Sequence, residues 1–221
     1  MKNAVKMDHK ISNRTLAGRS LAEKLIKYEY RDDVIVLALP RGGVPVAYEI
    51  ATALHAPLDV LVVRKLGIPN HEEYAMGAIA QGGTRILNED AISFYNLSSQ
   101  AIQQVEDREL QELHRREKVY RGTRPWPILK GRCVILVDDG LATGATMRAA
   151  IKAVKQHEAG KIVMAVPVAS AQALDELEDY VDEAVCLMVP EPFYSVGQWY
   201  MEFNQTSDSE VLQLLELAHV H

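Results

Sequence analysis

The stretch VILVDDGLATGAT, residues 134–146, decides how the rest of the chain is read. Val134, Ile135, Leu136 and Val137 are consecutive apolar residues, the pattern of a strand buried on both faces. Two carboxylates, Asp138 and Asp139, end it. Adjacent acids at the end of a buried strand are unfavourable unless polar partners meet them. The vicinal hydroxyls of a sugar are such partners, and a divalent cation shared with a diphosphate is another. Leu141-Ala142-Thr143-Gly144-Ala145-Thr146 then supplies small residues where backbone must approach an anion closely. The helix expected to begin there points unpaired amides and its positive end at a phosphate. Thr143 and Thr146 add hydroxyl donors. Alone, Asp-Asp-Gly would read as a helix-capping turn. The strand before it and the threonine-bearing loop after it favour a phosphorylated sugar instead.

The same grammar recurs upstream. VIVLAL, residues 34–39, reads as a strand; it ends in the turn Pro40-Arg41-Gly42-Gly43, and Val44, Ala47, Ala51 and Leu54 repeat at helical spacing. Residues 58–63 read as a second strand, so this is a βαβ unit of a parallel sheet. After residue 137 the pattern repeats. Met147, Ala150, Ile151 and Val154 mark a helix face, 161–168 a strand, about 170–177 a helix and 184–189 a strand. Residues 16–26, with Leu21 and Leu25 on one face, predict a first helix. Ser207 and Glu210 form a capping-box pattern before a last one. Ligands of open parallel sheets gather at the carboxyl ends of strands. Three segments lie there: 138–146, Arg41-Gly42-Gly43 with its planar donor fork and permissive backbone, and the basic pair Arg64-Lys65.

Residues 67–132 differ in character. Gly82-Gly83 between two strand-like pieces (74–80 and 84–87) predicts a hairpin. Residues 98–120 predict a charged helix with a loose apolar stripe of Ile102, Val105, Leu110 and Leu113, its charges forming a solvated face. Glu72 and Glu73 read as an exposed loop. The 221 residues are 48% hydrophobic and 24% charged, enough for one sizeable domain. A formal charge of −6 argues against nucleic-acid binding. No run of 18 apolar residues exists, so no membrane span is expected, and MKNAVKMDHK has no hydrophobic signal-peptide stretch. Cys133 and Cys186 read as reduced core residues of a cytoplasmic protein. No zinc-type histidine pattern and no GxxxxGK[ST] loop occurs.

Residues 134–146 resemble the 5-phosphoribosyl-1-diphosphate (PRPP) binding motif of the type I phosphoribosyltransferases. Leu39-Pro40-Arg41-Gly42-Gly43 is similar to the diphosphate loop of that family, Arg64-Lys65 to the basic pair opening the flexible loop of orotate enzymes, and Pro192-Phe193-Tyr194-Ser195-Val196-Gly197 to the hood of purine enzymes. The likeness covers about 34–204. It implies an α/β fold with a five-stranded parallel sheet flanked by helices, a small hood and an inserted flexible segment. The chain 1–221 would be one domain, with the insertion or lid at about 67–132 and the hood and closing helix at about 190–221.

The resemblance also implies roles. Asp138 and Asp139 bind the ribose hydroxyls, in some members through Mg²⁺, which makes Mg²⁺ the implied cofactor and the two aspartates its ligands. Ala142, Thr143, Gly144, Ala145 and Thr146 bind the 5-phosphate. Arg41, Gly42, Gly43, Arg64 and Lys65 meet the diphosphate, and Phe193 and Tyr194 face the base. Arg41, Lys65, Asp138 and Asp139 would be the catalytic set for transfer of the phosphoribosyl group to a nitrogen acceptor. Ala142 stands where enzymes for 6-oxopurines carry an aspartate, which leaves the acceptor open. It also keeps a non-catalytic PRPP- or nucleotide-binding regulator as the second reading. Whether 67–132 is a lid, an arm of a homodimer or both stays open on sequence.

Overall fold

The computed structural model describes residues 10–219; the side chain of Glu73 and residues 1–9, on which the signal-peptide reading falls, lie outside the description. The elements run α1 (Arg14–Leu25), β1 (Val34–Ala38), α2 (Gly43–Leu54), β2 (Leu58–Val60), β3 (Val63–Ile68), β4 (His71–Ala80) and β5 (Thr84–Leu87). They continue with α3 (Glu89–Phe94), α4 (Ser99–Arg121), β6 (Cys133–Val137), α5 (Ala145–Gln156), β7 (Lys161–Val168), α6 (Ala171–Glu178), β8 (Glu183–Met188) and α7 (Asp208–His219).

Five parallel strands form the main sheet in the order β2-β1-β6-β7-β8. Every residue of β1 and β6 is buried. Their side chains alternate between two cores, as the two-residue period of a strand requires. Val34, Val36, Ala38, Ile135 and Val137 join α1, α2 and α7 on one face. Ile35, Leu37, Val134 and Leu136 join α5 and α6 on the other. Each buried Val, Leu or Ile contributes about 1.5–3 kcal/mol, so this sandwich anchors the loops that leave β1 and β6. Gly18 of α1 is pressed on α2: a Cβ there would lie 2.5 Å from the carbonyl oxygen of Val46. That close seat brings the start of α1 to the carboxyl edge of the sheet.

The strand expected over 58–63 is instead two strands in two sheets. β2 pairs with β1 only as far as Val60. Beyond it, Val62 exchanges hydrogen bonds with Gln81, donating to its side chain at 3.2 Å and accepting from its amide at 2.9 Å. Val63 then pairs antiparallel with Ala80, opening the three-stranded sheet β3-β4-β5. Gly82 and Gly83, both at φ +84°, make the hairpin turn expected there. Glu72 lies on β4 rather than in a loop.

The charged helix forms as α4, with one adjustment. Ile102, Val105 and Leu113 are buried, but Leu110 is 38% exposed, because the inward position next to it belongs to Glu109. Glu109 is buried against Arg64, which donates to it at 2.9 and 2.5 Å. At the last turn Arg121 donates to Asp59 Oδ1 at 2.8 Å and fastens α4 to β2. The capping signal at Ser207 is real: its hydroxyl accepts from the amide of Glu210 at 3.1 Å. Both cysteines are free thiols. Among the described residues no helix is long and apolar enough to cross a membrane.

Candidate active site

Two loops meet at the carboxyl edge of the sheet. The amide of Leu39 donates to the carbonyl of Val137 at 2.8 Å, stitching the exit of β1 to the exit of β6. The turn 40–43 then lies directly on the acidic pair, and the Pro40–Arg41 peptide is cis. A Cβ on Gly42 would fall 2.0 Å from Asp139 Oδ2, and one on Gly43 would fall 2.6 Å from the carbonyl oxygen of Val137. Only glycine permits this approach. The two glycines that the sequence places in the diphosphate-like turn are therefore needed first to let it touch the aspartates.

Asp138 and Asp139 differ. Asp138 Oδ1 accepts from the amide of Asp139 at 2.8 Å. Burial, and then the neighbouring Asp139 carboxylate, push its carboxyl well above the ordinary range. Asp139 is held by Arg14, at the start of α1: Nε donates to Oδ2 at 2.9 Å, and Nη2 stands 2.7 Å from the same oxygen. Nη1 of Arg14 donates to the carbonyl of Asn204 at 2.7 Å, and the guanidinium lies 3.9 Å from the ring centre of Phe203. The Tyr200 hydroxyl donates to the Asp139 carbonyl at 2.7 Å, and burial pushes that phenol up.

Arg14, Arg41, Gly42, Asp139, Phe203, Gln205 and Thr206 surround a cavity of ≈ 350 Å³. Arg41 is one-third exposed, with Nη1 3.9 Å from Asp208 Oδ1. Asp208 in turn accepts from the Tyr120 hydroxyl at 2.5 Å, which ties α7 to α4 beside Arg41.

The loop after the acidic pair opens elsewhere. Leu141 is anchored on both sides, donating to Val168 at 2.8 Å and accepting from Ser170 at 2.9 Å. The hydroxyl of Ser170 donates to the Ala142 carbonyl at 2.7 Å. Gly144, at φ +71°, caps α5 with no side-chain hydrogen bond. Among the described residues, no acceptor takes the amides of residues 142–147; the first amide bonded in α5 is that of Arg148, to Gly144. Ala142, Thr143, Ala145 and Thr146 are exposed. Thr143 and Ala145 border a second cavity of ≈ 470 Å³, closed on its far side by β4 and β5 residues including Gly77, Ala78 and Ile86. An open, uncapped helix start of this kind accommodates an anion.

Other expected residues lie apart. Arg64 and Lys65 sit inside β3 and border neither cavity. Arg64 is bound to Glu109, and Lys65 Nζ donates to the Glu72 carbonyl at 2.9 Å. Phe193 packs with Ala17, Val168 and Tyr200 in a small apolar cluster. Tyr194 is 79% exposed. The aromatic ring at the acidic cavity is Phe203. The hood still reaches the loop, since a Cβ on Gly140 would meet Val196 at 2.5 Å.

Sequence reasoning missed Arg14. Its signal is faint: a cation in the first turn of a helix with no acid there opposes the helix dipole and implies a partner from outside the helix.

The two aspartates do not fit a divalent ion held by the protein alone. Asp139 Oδ2 is already occupied by the Arg14 guanidinium, and among the described residues no three His, Cys, Asp or Glu side chains gather as a ligand set.

Comparison with known proteins points one way. The sequence model of a family described as a phosphoribosyl transferase domain matches residues 6–196. A Mycobacterium tuberculosis protein provisionally named a phosphoribosyl transferase, found in two strains, is 48% identical over 203 residues, 92% of this chain. The chain spans 46% of the length of these curated relatives. The crystal structure of TT1426 from Thermus thermophilus is 40% identical, with a TM-score of 0.81 over 93% of this chain and 97% of that one. A hypoxanthine-guanine phosphoribosyltransferase of Bacillus anthracis shares the fold at 8% identity, with a TM-score of 0.50 over 85% and 87% of the two chains.

Proposed function

The chain belongs to the phosphoribosyl transferase domain family, and from that premise we propose that it moves the 5-phosphoribosyl group of PRPP to a nitrogen acceptor and releases diphosphate. The observation that carries the reading is the pairing of an acidic dyad at the end of β6 with the amides of 142–147 just beyond it, which have no acceptor among the described residues. A ribose 5-phosphate needs both: acceptors for its diol and donors for its terminal anion.

In this reading Asp139, with Asp138 behind it, accepts hydrogen bonds from the ribose hydroxyls. The amides of 142–146 and the hydroxyls of Thr143 and Thr146 hold the 5-phosphate. Arg41, Gly42 and Gly43 take the diphosphate. During transfer the bond from the anomeric carbon to the diphosphate oxygen breaks, and a bond to the acceptor nitrogen forms. The carbon carries positive character as this happens. The protein contributes by fixing the two ends of the sugar and by setting the charge of Arg41 against the departing diphosphate. Magnesium, in this account, belongs to the substrate as a chelate of the diphosphate. Segment 67–132 serves as the lid, and Arg64 and Lys65 would reach the diphosphate only through its movement. Residues 190–221 supply the hood and closing helix, with Phe193 and Tyr194 the aromatic candidates for the acceptor and Phe203 already at the cavity.

Titration with PRPP and Mg²⁺, followed by diphosphate release across a panel of nucleobases and amines, tests this. Binding and release with at least one acceptor are expected, and the Asp138→Asn, Asp139→Asn double variant should fold and lose binding. Absence of PRPP binding at millimolar ligand rejects the proposal. The second reading, a non-catalytic sensor of PRPP or a nucleotide, draws on Ala142, where no carboxylate stands to move a proton on a purine. Binding without release for every acceptor would select it.

A further inference from the structure

Arg14 is not a surface cation that happens to reach an acid. Its side chain is 12% exposed and each of its nitrogens is engaged: Nε and Nη2 on Asp139 Oδ2, Nη1 on the carbonyl of Asn204. The ring of Phe203 covers one face at 3.9 Å. Gly18 sets the helix that carries it hard against α2, so the guanidinium is delivered by a rigid element. Asp139 Oδ1, by contrast, accepts from no amide and no cation among the described residues, and Asp139 borders the cavity. One oxygen of the carboxylate is thus neutralised by the chain itself, while the residue stays at the cavity wall.

Asp139, the member of the acidic pair that borders the cavity, needs a counter-charge beside its acidic neighbour. A divalent cation is one solution; here the place at Oδ2 is filled by the chain itself. We propose that Arg14 is a resident counter-cation for Asp139, so that the acidic pair grips the ribose hydroxyls without a divalent metal. Any metal need of the protein then resides in the diphosphate end of its ligand. This rests on the ribose-binding role proposed for Asp139. It adds that α1, outside the motif, completes the sugar site.

Ribose 5-phosphate separates the two ends, because it has the diol and the phosphate but no diphosphate to chelate a metal. Its affinity is measured by calorimetry for the wild type and for Arg14→Gln, in chelator and in millimolar Mg²⁺. The wild type is expected to bind equally in both. Arg14→Gln is expected to lose at least about tenfold in chelator, the scale of one charge-assisted contact, and to recover on adding Mg²⁺. Recovery by a metal is a readout that a merely structural role for Arg14 would not produce.

Wild-type binding that requires Mg²⁺ overturns the inference. So does an Arg14→Gln variant that binds as tightly as wild type in chelator, or one whose loss Mg²⁺ does not repair. Should Arg14→Gln not fold, the wild-type comparison decides, together with Arg14→Lys, which keeps the charge and is expected to stay metal-independent. If wild type binds PRPP normally and only the metal pattern fails, this inference falls alone. If it binds neither ligand, the proposed function falls with it.

Discussion

Helices in this molecule start in two ways. Asn13, Ser98 and Ser170 each accept the amide three residues on, and Asn88 and Ser207 do the same, so α1, α3, α4, α6 and α7 begin under a side-chain cap. The helices that follow β1 and β6 do not: α2 starts at Gly42 and α5 at Gly144, with no capping side chain. A glycine in the cap position forgoes only about a few tenths of a kcal/mol against serine. What it leaves open is space and donors. At α2 the space is filled by the Asp139 carboxylate; at α5 the amides of 142–147 have no acceptor among the described residues, and Ala142, Thr143, Ala145 and Thr146 are exposed. Capped starts stabilise the fold, and uncapped starts line the candidate site.

The sharpest way to break this contrast is to cap α5 artificially. In Ala145→Asp the new carboxylate sits in the first turn, among the amides that the proposal assigns to the 5-phosphate. Helix stability should hold or rise by about 0.3–1 kcal/mol. Ribose 5-phosphate affinity should fall by at least about 100-fold, roughly 2.7 kcal/mol. Paired melting curves and calorimetry read both numbers, and unchanged affinity would place the phosphate elsewhere.

At α2 the corresponding change is Gly42→Ala. The added methyl would lie 2.0 Å from Asp139 Oδ2, so either the turn or the carboxylate must move. Overpacking of this kind destabilises by about 1–3 kcal/mol. Chemical denaturation should show that loss, and PRPP affinity should drop with it. A variant as stable and as tight-binding as wild type would mean the turn does not rest on the dyad.

A capped start supplies the control. Ser98→Ala removes the hydroxyl that accepts from Ala101 at 3.2 Å, at the outer end of α4. Stability should fall by about 1 kcal/mol while PRPP binding stays at its wild-type value.

The smallest effect is in pH. Asp138 has its carboxyl raised, so the folded state binds its proton more tightly than the unfolded chain does. Its contribution is then fully present below the ordinary carboxylate range and declines as pH rises from there toward the raised value. Asp138→Asn cannot ionise. The melting temperature of wild type minus that of Asp138→Asn should therefore decrease as pH is raised from about 4. A difference that is flat or increases with pH would show that Asp138 is not held in its neutral form.

Much of the fold was legible because its signals are local. The apolar runs at 34–39 and 134–137 are each long enough to demand burial on both faces, and the small residues after them announce tight turns. The hairpin at Gly82-Gly83 and the cap at Ser207 carry their own chemistry. The break at Val60 was not legible. Residues 60–63 have no turn residue, and the chain leaves the sheet there because Gln81, 19 residues further on, takes over the backbone bonds of Val62. Leu110 misled for a related reason: the stripe of α4 runs through Glu109, whose burial depends on Arg64 from another element. The basic pair Arg64-Lys65 read as rim cations in sequence and turned out to be strand residues committed to Glu109 and Glu72.

By itself the sequence determined the parallel sheet, the two strand-to-helix loops and the acidic dyad with the small-residue loop after it, because each depends on neighbours within a dozen residues. Only the tertiary structure decided which charges face one another. Arg14 meets Asp139 across 125 positions, and the ring of Phe203 covers the guanidinium. Ion pairing falls off with distance in space and is blind to separation along the chain, so no local pattern encodes it. The packing of α1 on α2 does.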